Sequence, residues 1–505
     1  MNVPSQRRAP RKVFKIQESR ESPVEEFGLE GSSKKDFELE GSSKKDFELE
    51  GSDVCECSGQ EVNQVLQPCL RPLRVALRAV GIVPYVYDEA SCTYRSVCTS
   101  WAMIHTVITA VYLSVLLVTT VVGLTAMFTR QSDPNVTQDK NVQAIKLTGV
   151  ILVSECLVNA WTQVINVLYY GRRACGLLND WNTLVAGTDL NPVQGVRSSV
   201  LLQVIFLAFF WCALLTLTLL DYPKIIGHVL DGVAQGMLMV PPAWSTQHPA
   251  LAMVLRVLTC VVCLHIFCVF KGSLFSFTTN CHLLKNGLGA WNTQLRNILE
   301  DIWQRRDRTR GRLGLLVQSH YQLVRLVRET EYIFGPMLQC YYGSTVIILC
   351  TELYLLAYRI GSSQYSADGV IATSLMTLQT AAVFVQVSLS AAAVQEVADD
   401  SIDVLRRGLP YDTSDRDKFN KDELTTALTG SPLYITGGKF FVINRPFIIT
   451  VLSAVVTYFI VMIQFMQPSQ SEQQDASNYT LSLNITDVSQ LNFTDFSQFN
   501  LTDVN

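Results

Sequence analysis

Glu155, Asn159, Gln163 and Asn166, with Thr162 among them, recur at spacings of three and four inside an otherwise apolar run. On a helix those spacings fall on one face. Similar apolar runs carry Asp221, Arg256 and Glu352, and a further run places Thr373, Thr377 and Thr380 on one face with Gln379 nearby. Trp161, Trp211, Tyr354 and Tyr358 lie in the same runs. Polar groups are costly in hydrocarbon, so such faces look into a bundle interior or a water-filled cavity. From the helix rise, Glu155 and Glu352 lie about 12 Å, and Arg256 about 10 Å, from the outer ends of their segments. The expectation is an outward-facing pocket for a small polar molecule, lined by Glu155, Asn159, Trp161, Arg256, Glu352, Tyr354, Thr377 and Gln379. The alternative is structural pairing, of Arg256 with Glu155 or Glu352, that only locks helices together. His265, in the middle of its run, reads as a packing histidine.

These side chains need helices long enough to cross a hydrocarbon core, about 20 residues for about 30 Å. Seven segments qualify, near 102–128, 147–170, 198–221, 249–277, 338–360, 369–394 and 446–466. The sequence therefore predicts an all-α membrane protein with seven transmembrane helices. With the N-terminus in the cytosol, the inner segments carry 18 Lys and Arg and the outer ones 4, as the positive-inside bias demands. All five N-x-S/T sequons, at Asn135, Asn478, Asn484, Asn492 and Asn500, fall on segments that this criterion puts outside. Two independent criteria thus predict a cytosolic N-terminus and a glycosylated extracellular C-terminus, which an odd number of spans requires.

Around the 102–466 core, residues 1–60 are polar and contain GSSKKDFELE twice, at 31–40 and 41–50, a composition that predicts a disordered cytosolic tail. Residues 61–101 read as a cytosolic amphipathic approach segment, and 467–505 as the extracellular tail. No apolar run in the first 98 residues resembles a cleavable signal peptide, so the first span is expected to act as the anchor. The fourteen cysteines lie mostly in apolar runs and do not form a disulfide framework. Between the fourth and fifth spans, Arg305, Arg306, Arg308, Arg310 and Arg312 are flanked by Leu299, Ile302, Leu313, Leu315, Leu316 and Leu323. This pattern predicts long helices continuing from those spans into the cytosol, with the arginines serving positive-inside retention on a solvated face or, as the sharper alternative, binding anionic membrane lipid. Net charge is −4, which gives no reason to expect a nucleic-acid partner. No GxGxxG after a strand, P-loop, HExxH or GxSxG occurs, so neither an enzyme nor a cofactor or metal site is expected.

The last span reads Thr457-Tyr458-Phe-Ile-Val-Met-Ile-Gln464-Phe465, which matches the TYhhhhhQF signature (h, hydrophobic) of insect gustatory receptors. TGGKFFVINRP at 436–446 and PLRVALRAVGIVPY at 72–85 are similar to the segments that lead into that family's last and first helices. The resemblance covers roughly residues 65–466. It implies a plasma-membrane taste receptor that is a ligand-gated, non-selective cation channel opened by a small-molecule tastant. It further implies a homotetramer, or a heteromer with related receptors, whose last helices line a central pore. Carried over to this chain, Gln464 and Phe465 stand at the gate, with Thr457 and Tyr458 as the rest of the motif. Four Phe rings can close a pore by dewetting, and four Gln amides can line it when open. The Glu that commonly follows the motif Tyr in the sugar-receptor subgroup is replaced by Phe459, which argues against that subgroup. The alternatives are a receptor of G-protein-coupled type, which would place the tail sequons in the cytosol, and a transporter, for which inverted repeats would be expected.

Overall fold

The distribution of threonine and valine on one long helix shows which solvent this fold is built for. On α2 (Trp101–Gln131) an exposed apolar stripe runs through Ile104, Ile108, Val111, Val115, Val118 and Val122, with Val107 and Val121 beside it. The buried face carries Thr106, Thr109 and Thr120 beside Leu113 and Leu116. Each of these hydroxyls donates to a carbonyl one turn back; Thr106 to Ala102, for example, spans 2.9 Å. Apolar side chains outside and satisfied polar ones inside suit a helix in lipid, where every polar group must be paired within the protein.

The computed structural model describes residues 58–88, 91, 93–97, 99–131, 140–188, 192, 195–219, 225–240, 249–304, 312–361, 367–406, 415–430 and 433–466. Before α2, α1 (Ser58–Ala79) buries Leu70, Leu73 and Leu77 along one stripe and leaves Arg71 and Val75 exposed. Gly81 ends it at φ +78, with Ile82 N–H donating to Leu77 O (2.9 Å) and Gly81 N–H to Arg78 O (3.2 Å). That left-handed cap favours glycine. A short hairpin follows, β1 (Val86–Asp88) antiparallel to β2 (Thr93–Arg95), with Tyr87 opposite Tyr94.

After α2 come α3 (Lys140–Gly187), α4 (Val196–Leu219), α5 (Ile225–Met237), α6 (Pro249–Trp303), α7 (Arg312–Gly361) and α8 (Ala367–Leu405). The chain continues through α9 (Asp415–Gly430), a second hairpin of β3 (Thr436–Gly437) and β4 (Phe441–Val442), and α10 (Arg445–Met466). Among the described residues five helical stretches are long and apolar enough to cross a membrane: Trp101–Thr129, Lys146–Ala186, Ala250–Trp303, Arg312–Ala357 and Thr373–Leu405. Two shorter apolar stretches, Val196–Phe206 and Arg445–Val461, lie in α4 and α10. Every segment expected to span therefore falls on a helix, apart from residues 220–221, which are outside the described residues. So are residues 1–57, 467–505 and all five sequons, Asn135, Asn478, Asn484, Asn492 and Asn500.

At 48, 55, 50 and 39 residues, α3, α6, α7 and α8 outrun a bilayer core. Their extensions pack on one another beyond the expected spans. Trp291 and Trp181 are fully buried there, and Trp291 Nε1 donates to Leu316 O (3.1 Å). Asn292 ties α6 to α8, donating to Val397 O (2.8 Å) and accepting from Ser401 Oγ (2.6 Å). Arg325 pairs with Asp180 at 2.9 Å, joining α7 to α3. The long continuations expected from the fourth and fifth spans are thus unbroken helix, to Trp303 on one side and from Arg312 on the other.

Candidate functional site

Glu352 on α7 is 3% exposed. Thr380 on α8 donates to one carboxylate oxygen at 3.1 Å, and the other oxygen has no partner among the described residues. It borders a narrow cavity of about 10 Å3 between α3, α6, α7 and α8, lined also by Cys156, Phe270, Lys271, Tyr341 and Thr345. Lys271 on α6, likewise 3% exposed, holds its ammonium 4.7 Å from the Phe270 ring centroid and interacts electrostatically with Glu352. A carboxylate with an unused oxygen, an ammonium, three hydroxyl-bearing side chains (Tyr341, Thr345 and Thr380) and aromatic walls meet there, around room for about one water in this conformation.

The other expected pocket residues separate into distinct roles. Glu155 is half-buried one residue before Cys156. Asn159 is buried and donates to Ser344 Oγ on α7 (2.6 Å) and to the Glu155 carbonyl (2.8 Å). Asn166 donates to Ile333 O (2.8 Å). Gln163 is buried beside them without a partner among the described residues. The polar face of α3 therefore lies against α7, where amides act as interhelical fasteners. Trp161 Nε1 donates to Ser114 Oγ (2.8 Å), fixing α3 to α2. Tyr354 and Thr377 are half-buried, Thr377 donating to Thr373 O (3.0 Å), and Gln379 is buried. His265 packs edge-on to Tyr112 at 5.7 Å, with Nε2 3.3 Å from Val80 O.

Arg256 differs from the pairing weighed above. Its Nε and Nη2 donate to the two oxygens of Asp231 on α5, both at 2.9 Å, not to Glu155 or Glu352. α5 lies in a connecting segment, so no periodic pattern within the spans could point to it. Lys271 was also missed, although its signal was available: it is the one Lys in the apolar run 249–277.

On α10 the motif residues sit apart from this cavity. Asn444 caps the helix, accepting from Phe447 N–H at 3.0 Å, and Arg445 forms a bidentate pair with Glu396 of α8 at 2.5 and 2.9 Å. Thr457, Tyr458 and Gln464 are exposed, with Thr457 Oγ1 donating to Ser453 O (2.9 Å). Phe465 lies in the last turn of α10, and its side chain falls outside the described residues.

A bundle of long apolar helices with a polar cavity between them is that of a polytopic membrane protein. The 7tm Chemosensory receptor family matches residues 70–467, and the chain belongs to that family. No curated protein matches the sequence. Two solved structures share the fold. The insect olfactory receptor OR5 from Machilis hrabei superposes with a TM-score of 0.58 at 16% identity, covering 79% of this chain and 98% of that one. The same receptor in complex with eugenol superposes at 0.55 and 15% identity, covering 80% and 100%.

Proposed function

We propose that this chain is a gustatory receptor of the plasma membrane, acting as a ligand-gated, non-selective cation channel opened by a small-molecule tastant. Four copies surround a pore lined by α10, with Gln464 and Phe465 at its gate. Seven spans put the N-terminus in the cytosol and the C-terminal tail outside. The observation that carries the reading is the match to the chemosensory family over 70–467, which includes the TYhhhhhQF segment. The ligand site is the cavity at Glu352, Lys271 and Thr380, because it joins unsatisfied polar atoms to aromatic walls inside the bundle. That a receptor of the same fold has been solved with eugenol supports a small organic ligand here too.

Whole-cell recording from cells expressing only this chain, against a tastant panel, tests the reading. Agonist should evoke a current that reverses near zero when sodium and potassium are exchanged. Surface-expressed chain with no current under any member of the panel, alone or with related receptors, refutes it. Topology has its own check. PNGase F should shift the mass of surface protein, and replacing Asn478, Asn484, Asn492 and Asn500 by Gln should remove most of that shift. A tag at residue 505 that stains only after permeabilisation overturns the orientation.

A further inference from the structure

A second cavity, of about 60 Å3 and open on one side, lies between α1, the β1–β2 hairpin and the long helices α3, α6 and α7. Its apolar wall is made by Leu70, Leu73 and Leu77 of α1 with Leu177, Leu283 and Phe334 opposite. Its polar wall is unusual because three buried groups there have no partner among the described residues: Arg74 Nη1, Thr279 Oγ1 and Asn280 Oδ1. Thr279 and Asn280 are 3% and 8% exposed, so water on the outer surface does not satisfy them. Arg74 stands 5.6 Å from the Tyr87 ring centroid, and its positive charge acts on the Tyr94 hydroxyl. The hairpin that carries these rings is pinned in place. Asn179 of α3 accepts from Tyr94 N–H (2.8 Å) and donates to Tyr94 O (3.0 Å). Burial pushes the Tyr85 and Tyr94 hydroxyls above their ordinary pKa, so both remain neutral O–H donors.

The chemistry of the wall defines what would satisfy it. A guanidinium, tyrosine hydroxyls and a threonine hydroxyl present donors to an anion. Asn280 Oδ1 only accepts, so the ligand must also bring a donor. The apolar wall asks for hydrocarbon alongside. Position narrows the choice further. Leu177, Ser276, Thr279 and Phe334 lie within about two turns of the ends of the expected spans, at one end of the bundle, where lipid headgroups sit. We propose that this cavity is a binding site for a phosphate-headed, hydroxyl-bearing membrane lipid. Arg74 and Thr279 hold the phosphate, Asn280 accepts from a headgroup hydroxyl, and the leucines line the start of the acyl region. The site is separate from the Glu352 cavity and does not depend on the channel reading, since lipid binding is measured without current.

Purified full-length protein in phosphatidylcholine nanodiscs, with and without phosphatidylinositol, provides the test. Native mass spectrometry reads retained lipid, and a thermal melt reads stabilisation. The wild type should retain phosphatidylinositol and melt several degrees higher with it than without. Arg74→Gln and Asn280→Leu should lower retention several-fold, and Arg74→Lys should restore part of it. Arg71→Gln, which removes an exposed charge on the same helix, should behave as wild type. Thr279→Val removes an unpartnered hydroxyl, so it folds at least as well and separates binding from stability: its melt without phosphatidylinositol should hold while its response to the lipid falls. Equal retention by wild type and by folded Arg74→Gln and Thr279→Val proteins overturns the proposal. So does an equal response to added phosphatidylcholine. A response to inorganic phosphate as large as to the lipid would make this an anion site and overturn the lipid assignment.

Discussion

Glu352 and Lys271 are two opposite charges at 3% exposure on different helices around one small cavity. They make no direct ion pair among the described residues, so removing one weakens the field at the other and costs less than the loss of about 3–5 kcal/mol that follows when a buried pair is broken. Replacing both by apolar residues of similar size is often neutral. Glu352→Ala and Lys271→Met alone are therefore expected to lower the melting temperature and surface level, whereas Lys271→Met with Glu352→Leu recovers most of both. Glu352→Gln keeps the hydrogen bond from Thr380 and should reach the surface better than Glu352→Ala. If the cavity also binds ligand, the recovered double variant remains insensitive to agonist. Surface biotinylation with dose–response curves separates the two effects, and a double variant no better than either single shows that the charges do not interact. The isolated carboxylate at 352 stands out in the sequence because apolar neighbours surround it. Lys271, the one Lys of its apolar run, stands out less because it lies near the inner end, where the positive-inside bias accounts for a lysine. Asp231 as the partner of Arg256 could not be found from spacing, because the two meet only when α5 folds back.

α5 is where element prediction fell short, since residues 222–248 read only as an outer connection. Its sequence, IIGHVLDGVAQGM, owes its place to small residues. Gly236 faces Gly123 of α2 so closely that a Cβ on Gly123 would collide with the Gly236 carbonyl. A Cβ on Gly236 would stand 2.8 Å from Val150 Cγ1, and one on Gly232 2.8 Å from the Lys146 carbonyl. Without a hydrophobic drive between helices in lipid, such backbone contact supplies the packing. The Asp231–Arg256 pair then joins α5 to α6 from another side. Gly123→Ala should push α5 away and lower the melting temperature by several degrees. Gly176→Ala on α3 serves as its control, because nothing lies within 4 Å of its Cβ position. There the higher helix propensity of alanine, about 1 kcal/mol over glycine, should leave stability unchanged or raised. Equal melts for the two variants would mean that α5 is not held by this contact. The five helices long and apolar enough to cross a membrane, in contrast, were legible in the sequence, because long apolar runs have few alternatives in lipid. Which α3 amides face a cavity and which face α7 was not, because one helical face can serve either purpose.

α10 is an apolar helix of 22 residues with much of its circumference uncovered in the single chain: Ile449 is 67% and Tyr458 60% exposed. Its contacts to the rest of the chain are made through α7 and α8 and through the Arg445–Glu396 pair near its start. In the tetramer we propose, the uncovered side faces the axis and the neighbouring copies. Thr457 and Gln464 are seven residues apart, two helical turns, and so share a face; both are exposed. Phe465 is rotated about 100° from Gln464 by the helix period. A narrow ring of four phenyl groups excludes water when closed, and truncating it lowers the barrier to wetting. Phe465→Ala is expected to raise the current seen without agonist. A change of about 1.4 kcal/mol in the closed–open balance raises basal open probability about tenfold. Gln464→Ala removes a polar lining group and leaves the rings, so it should alter unitary conductance or cation selectivity with little basal current. Phe459→Leu, half-buried and off that face, should change neither. The decisive comparison is between basal current and permeation in channels of equal surface density. A Phe465→Ala channel that reaches the surface, opens normally with agonist, and shows neither extra basal current nor altered permeation places the gate elsewhere on the pore.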